Sequence, residues 1–312
     1  MDLRWLETFV LVAEQGSLIG AARRLDVSPP SVTRAIAGLE AQLGVQLFTR
    51  TTRSVKLTAP GERFLAEVRA ILAALESAID DAAGERETAR GHLTITASVT
   101  FGRTHVADLL LDYLREHPEV GGSLLLLDRV THLVDEGIDV AVRIGELPDS
   151  SLIARKVGSV RRVLVASPEY LERRGVPKRP RDLAEHDVLA FTGLMPGRKW
   201  RYREGGKPRE IGLNPRLEVN DALVALRAAE RGQGITIALS YMVGEAIAKG
   251  SLALVLDEFA PPEIPVHLVI PESRVVAAKV RSFLDFAASR LGERLASEAT
   301  RLQAPAKRRR AT

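Results

Sequence analysis

The residues best placed to do chemistry lie between positions 16 and 58, and the chemistry they suit is the binding of a nucleic acid. One face of a helix starting near position 29 presents Pro30, Arg34, Ala37 and Ala41, flanked by Ser31 and Thr33. That face is small and polar, with one base and no acid. It can enter a major groove closely, with Arg34 reaching a guanine edge or a phosphate. Further on, Arg50, Arg53 and Lys56 are the three basic residues between Ala41 and Gly61, a stretch without an acid. Such a segment suits a phosphate backbone. The candidate DNA contacts are Ser17, Ser28, Pro29, Pro30, Ser31, Thr33, Arg34 and Ala37, joined by Arg50, Thr51, Arg53 and Ser54.

Those residues need rigid supports, and the local pattern supplies them. Leu3, Leu6, Phe9, Val10 and Ala13 recur at helical spacing, and Gly16 ends that helix. Ser17 can cap a second helix with Ala21, Ala22 and Leu25 on one face, and residues 26–28 turn the chain. Ser28 is a good N-cap, and Pro29 falls at the first helical position, where its missing N–H costs nothing. Val32, Ile36, Leu39 and Leu43 give the third helix one apolar stripe. Leu47-Phe48 and Val55 to Leu57 then read as two arms of a β-hairpin, a wing with the basic tip between them.

The fixed spacing of Phe9, Val12, Gly16-Ser17, Ala21-Ala22, Leu25, Val27-Ser28, Pro30, Arg34, Leu39-Glu40, Leu43-Gly44, Leu47-Phe48, Arg50, Arg53, Leu57-Thr58 and Gly61 closely resembles the N-terminal domain of the LysR-type transcriptional regulators. The resemblance implies a winged helix-turn-helix. The chain departs from that family at Pro29, where Gln is usual, and at Ser31, where Ala is common. The DNA contacts made by the usual Gln therefore do not carry over.

The global charge adds nothing to this reading. The formal net charge of +4 is supplied by Lys307 and the three arginines at 308–310, so basicity is local to the wing and the tail. At 312 residues, 46% hydrophobic and 27% charged, the chain is an ordinary globular protein long enough for two domains. It has no cysteine, which excludes disulfides, thiolate metal sites and cysteine nucleophiles and fits a cytoplasmic location. The N-terminus lacks the pattern of a secretion signal, and no apolar run is long enough for a bilayer. No membrane association is expected.

Thr58 caps a long helix in which Phe64, Val68, Ile71, Leu75, Ala78 and Ala82 form a heptad seam, the expected dimerisation surface. By the resemblance, this linker helix pairs antiparallel with its copy. Gly84 and the polar run 85–90 form a hinge. Beyond it the chain alternates strands and helices: a strand at 92–97, a helix from 98–102 to His117, a strand at 124–127, a helix around Leu133-Val134 and a strand at 138–144. Further strands are expected at 162–166, 187–191, 199–203, 216–219, 234–239, 252–256 and 266–270. Helices are expected at 168–174, 222–231, 241–249 and 274–294. The segments DVAVRIGELPDSS and VRRVLVASPEYL, and Pro177 to Leu189, resemble the LysR effector-binding domain. That resemblance implies two α/β lobes of the periplasmic-binding-protein type (type 2) joined by two crossover strands. The expected layout is 1–58 for the DNA-binding domain, 59–90 for linker helix and hinge, and 91–295 for the effector domain. One lobe takes 92–162 and 267–295 and the other 163–266, leaving 296–312 as a basic, disordered tail.

Ligands of open α/β sheets sit beyond the carboxyl ends of strands, where helix N-termini favour anions. Ser98, Val99, Thr100, Phe101 and Gly102 form one such strand-to-helix turn, which lines the effector pocket in the family. Asn220-Asp221 forms another, Arg143 can supply a counter-charge, and Phe191 completes the candidate effector set. An organic acid is the expected effector. Catalysis has little support: the six histidines are scattered, and no HExxH, GxSxG or GxxxxGK[ST] motif occurs. Asp108, Asp112, Asp139 and Asp149 are not paired into an acid/base site, and no metal or cofactor is expected. The reading is a one-component transcriptional regulator, a homodimer or homotetramer binding an interrupted palindrome in promoter DNA, with RNA polymerase as a further partner. The alternatives are an effector-independent architectural DNA binder and an enzyme on a binding-protein fold.

Overall fold

The computed structural model describes residues 2–50, 55–82, 89–147, 152–272 and 277–303. Three helices come first: α1 (Leu3–Gln15), α2 (Leu18–Leu25) and α3 (Pro29–Leu43). Each boundary has a local cause. Gly16 ends α1 at φ 56°, the Ser17 hydroxyl accepts from the Gly20 N–H, and Asp26 ends α2 in the left-handed region. Ser28 occupies the N-cap of α3 with Pro29 behind it, but its hydroxyl bonds the Ser31 hydroxyl at 2.8 Å rather than a backbone N–H. Phe9, Val12, Val32, Ile36 and Leu39 are buried together beneath β1 (Phe48–Arg50) and β2 (Val55–Leu57), which pair antiparallel. The linker helix α4 (Ala59–Ala82) follows, its first turn capped by the Thr58 hydroxyl, which accepts from Gly61 N–H at 3.0 Å.

The remainder forms two five-stranded sheets. The first comprises β3 (Gly91–Ala97), β4 (Val120–Leu126), β5 (Val140–Ile144), β6 (Leu152–Val160) and a strand near the C-terminus. Between β3 and β4 the chain runs as one helical rod: α5 (Val99–Phe101), a π-helical turn at Gly102–Val106, then α6 (Ala107–Glu116). The expected helix around Leu133-Val134 is instead a turn ended by Gly137 at φ 65°. A helix of so few residues fixes more dihedrals than it gains hydrogen bonds.

The second sheet holds β7 (Arg162–Ala166), β8 (Val188–Phe191), β11 (Pro215–Val219), β12 (Ile235–Leu239) and β13 (Ala253–Val255), in the order β11-β8-β12-β7-β13. Between β8 and β11, β9 (Lys199–Glu204) and β10 (Lys207–Gly212) stand apart as a hairpin, turned at Gly205-Gly206 with φ of 56° and 77°. Helices α7 (Pro168–Arg174), α8 (Ala222–Glu230) and α9 (Ser240–Lys249) complete this lobe. The strand β14 (Ile264–Pro271) returns to the first sheet, whose order is β4-β3-β5-β14-β6. The lobes thus connect twice, at Arg161 and through residues 256–263, and the Arg161–Asp257 ion pair at 2.6 Å ties the crossovers together.

The last helix, α10 (Ala278–Gln303), continues past the stop expected at 294 and overturns a disordered start to the tail. Phe283, Ala287, Leu291 and Leu295 are buried in the first lobe, whereas Leu302 is buried among Val163, Val165 and Leu226 of the second. The helix straps the two lobes because its apolar residues keep helical spacing to Leu302. Residues 304–312, with the basic cluster, lie outside the described residues. Among the described residues no helix is long and apolar enough to cross a membrane.

Candidate functional site

The outer face of α3 carries exposed Pro29, Pro30, Arg34 and Ala37, with Ser31 and Thr33 half-buried beside them. Trp5 of α1 holds the helix from behind. A Cβ at Gly38 would stand 2.7 Å from the Trp5 ring, so only glycine allows this approach. The Thr33 hydroxyl donates to Pro29 O at 3.1 Å and the Arg34 Nε reaches Pro30 O at 3.5 Å, which leaves the rest of that guanidinium pointing out. Ser17 spends its hydroxyl on the cap of α2.

Glu40, on the same helix, fixes the wing. Its Oε1 accepts from Leu47 N–H at 2.8 Å and Phe48 N–H at 3.1 Å, so α3 and β1 move as one body. Lys56 is exposed on β2. Thr51, Arg53 and Ser54 lie outside the described residues, as does the side chain of Arg50.

A second site lies between the sheets, as a cleft of about 370 Å³ at the small end of ligand pockets. Four of the nine candidate effector residues line it: Ser98, Thr100, Arg143 and Phe191. The other five do not. Phe101 is fully buried in the first lobe's core, and Val99 gives its N–H to Asp128 Oδ1 at 2.9 Å. Gly102 does not open the backbone to a ligand, because Leu126 fills that space: a Cβ there would stand 2.1 Å from its Cδ2. Asp221 caps α8 through Val224 N–H at 3.0 Å and is exposed with Asn220 away from the cleft.

Other residues take their places. Asp128, Arg129 and Thr131 follow the end of β4, Arg162 opens β7, and Tyr241 and Met242 open α9. The strand-end rule reached β3 but applied equally to β4 and β12. Arg162 carried no local signal, since its place depends on the crossover. Arg143 donates to Thr131 O at 2.7 Å and Thr131 Oγ1 at 2.8 Å, not to Asp128 or Glu146. Burial pulls the Arg143 and Arg162 guanidiniums below their ordinary range. They remain half-buried cations. Arg129 is neutralised by a bidentate pair with Glu136 at 2.8 and 2.7 Å. Two arginines against Asp128 therefore leave the cleft one positive charge in excess, above an apolar wall of Phe191, Leu194, Leu239 and Met242. Burial pushes the Tyr241 phenol well above its ordinary range, opposed by its hydrogen bond with Ser98.

The seam of α4 splits in two. Phe64 and Val68 belong to the core of the DNA-reading unit: Val68 is 0% exposed, and the Phe64 ring lies 5.3 Å from Phe9. Val68 is not available for a second chain, because the helix uses it to close its own domain, and Phe64 is half-buried there. Ile71 and Leu75 are 53% and 36% exposed. The side chains of Ala78 and Ala82 lie outside the described residues.

Comparison with known proteins bears on both sites. Residues 3–62 match the family model described as bacterial regulatory helix-turn-helix protein, lysR family, and residues 86–292 match the LysR substrate binding domain. An HTH-type transcriptional regulator of Xanthomonas campestris pv. campestris (strain 8004) is 35% identical over 93% of this chain and 86% of its own length. The full-length structure of AphB, a virulence activator of Vibrio cholerae, aligns with TM-score 0.61 and 29% identity over 93% of this chain and 99% of its own. CrgA of Neisseria meningitidis aligns with TM-score 0.61 and 29% identity over 94% and 99%.

Proposed function

The chain belongs to the LysR family of transcriptional regulators, not enzymes, whose members bind DNA and small-molecule effectors and form oligomers, and from that premise we propose that it is a one-component regulator sensing an organic monoanion. The DNA-reading unit spans 1–58, the linker helix and hinge 59–90, and the effector domain 91–295 with its strap running on along α10. The observation that carries the effector reading is the pair of half-buried arginines, Arg143 and Arg162, in a cleft with one net positive charge and an apolar wall. A carboxylate meets those cations and the hydroxyls of Ser98 and Thr100, while an apolar body lies on Phe191 and Leu239. Closure of the lobes on the ligand shifts the population toward one interlobe geometry and re-spaces the DNA-reading units of a dimer or tetramer.

A thermal-shift screen of carboxylates against neutral sugars and amines tests the effector. A ligand at 100 times its dissociation constant adds about 2.7 kcal/mol, or roughly 5–10 °C for a domain of this size. Arg143→Gln removes a charge-assisted contact, so affinity falls on the order of 10–100-fold. Stabilisation by amines, undiminished in Arg143→Gln, overturns the anion reading.

On DNA, Arg34 discriminates sequence while Arg50, Arg53 and Lys56 supply affinity. Arg34→Ala is expected to lose about 1–3 kcal/mol on the cognate site and little on random duplex. Lys56→Ala weakens both alike and flattens the salt dependence. Equal losses on both duplexes for Arg34→Ala assign that arginine to phosphate.

A further inference from the structure

The segment between β4 and β5 touches both halves of the molecule. Its first residues, Leu127 to Thr131, line the effector cleft. Its last turn lies against the linker helix: a Cβ built on Gly137 would stand 3.2 Å from Cδ of Arg69, with Cβ and Cγ of that side chain at 3.8 and 3.9 Å. The Arg69 stem therefore runs across bare backbone, which Gly137 offers at φ 65°. At its tip the Arg69 guanidinium donates to Glu14 Oε1 at 3.1 Å, in the last turn of α1. A chain of contacts thus runs from the cleft, along one loop, to the DNA-reading unit.

The loop is built to shift as one piece. Arg129 grips Glu136 with both terminal nitrogens, and the His132 N–H donates to the same carboxylate at 3.1 Å. Glu136 N–H donates to His132 O at 3.0 Å, Gly137 N–H to Val134 O at 3.1 Å and Ile138 N–H to Leu133 O at 2.8 Å. Leu133 and Ile138 are buried with Ala141 and Val269. At the cleft end the loop is held by Arg143, whose Nη2 donates to both Thr131 O and Thr131 Oγ1. The Nε and Nη1 of Arg143 make no further hydrogen bond among the described residues. A carboxylate in the cleft and Thr131 therefore share one guanidinium.

We propose that the 127–137 loop is the coupling element of the regulator. A carboxylate drawn to Arg143 changes its hold on Thr131, and the loop passes that change to Arg69 and through Glu14 to α1. The inference rests on the cleft being the effector site, and it adds to lobe closure a route within a single chain. Linkage makes the route reciprocal: the state of the DNA-reading unit is felt at Arg143.

The test is hydrogen exchange of the full-length protein without ligand, which makes it independent of the anion that the cleft takes. Arg143→Gln releases Thr131. Exchange is expected to rise about 3- to 10-fold over residues 128–137, in the turn of α4 around Arg69 and in the last turn of α1, a response of the size that coupled contacts give. In an Arg69→Ala background the same substitution is expected to quicken the loop alone, a non-additivity that two separate losses of packing do not produce. Thr131→Val removes one of the two acceptors at nearly constant volume. It is expected to give the same pattern at smaller size, and it carries the test if Arg143→Gln loosens the whole first sheet. Equal quickening of α1 and α4 in both backgrounds assigns the signal to another route and overturns the proposal. So does a loop that quickens while α1 and α4 exchange as in the parent. A carboxylate screen that fails with this pattern intact overturns only the anion reading of the cleft. A carboxylate that binds through Arg143 with the pattern absent overturns only the coupling.

Discussion

Val68→Glu is expected to unfold the DNA-reading unit, whereas Ile71→Glu with Leu75→Glu is expected to leave it folded and take the oligomer apart. All three positions lie on one stripe of α4, so sequence spacing treats them alike. Burial does not: Val68 is 0% exposed against Phe9, Phe48 and Phe64, while Ile71 and Leu75 are 53% and 36% exposed. A glutamate at Val68 loses the packing of a valine and buries a carboxylate without a partner, at a cost of about 3–5 kcal/mol. A unit of this size has only about 5–15 kcal/mol in all. Hydrogen exchange of α1–α3 in the full chain reads the unfolding, and sedimentation reads the assembly. Protected α1–α3 amides in Val68→Glu would show the position to be open to solvent. A dimer that persists in the Ile71/Leu75 pair would place the interface elsewhere.

The contrast shows where sequence reasoning reaches. Caps, turns and stripes within one element were legible, because their causes are local: Gly16, Ser17, Asp26 and Thr58 end or start helices by chemistry within a few residues. Assignments failed where the cause is non-local. Strand β6 went unassigned because Leu152–Val160 has Arg155 and Lys156 at its centre and shows neither alternation nor an apolar run, and only Val160 is fully buried. It is an edge strand, held by pairing with β14 and by α10 packed across it. Strand β10 was missed for a related reason, since its residues are almost all exposed and its partner β9 alone gives it form. In the cleft, Ser98 and Thr100 followed from a local strand-to-helix turn, but Arg162, Thr131 and Tyr241 come from distant segments that only the tertiary fold brings together. Gly102 sits in the same turn but does not line the cleft, for the same reason: whether a glycine admits a ligand or a neighbour depends on what stands opposite, here Leu126.

Acidification from pH 6.5 to about 4 is expected to destabilise the effector domain through His105 by about 3 kcal/mol. The ring sits in the π-helical turn, packed 4.6 Å from Phe101 and 5.4 Å from Tyr241. Burial, then the Arg294 charge on α10, lower its pKa from 6.5 to about 4, while Asp108 on its own helix opposes them. A depressed imidazole is neutral in the fold and protonates first in the unfolded chain. Its stabilisation is therefore whole above pH 6.5 and is lost as the pH falls to about 4. Glu298, also on α10, faces the ring with its Oε2 3.6 Å from His105 Nε2, and neither atom has a hydrogen-bond partner among the described residues. Burial raises the Glu298 carboxyl above 4.5, against the pull of Arg301 and Arg294. That group acts with the opposite sign: its contribution is whole below 4.5 and fades as pH rises through the raised value, so it offsets part of the histidine slope. His105→Leu removes the titrating ring and keeps an apolar side chain, so its melting temperature is expected to change much less between pH 6.5 and 4 than that of the parent. Glu298→Gln is expected to steepen the acid-side loss, because the offsetting carboxyl is gone. Parallel melting curves for the parent and His105→Leu across that range would show that the imidazole is already charged or solvated in the fold, and that the strap does not seal it.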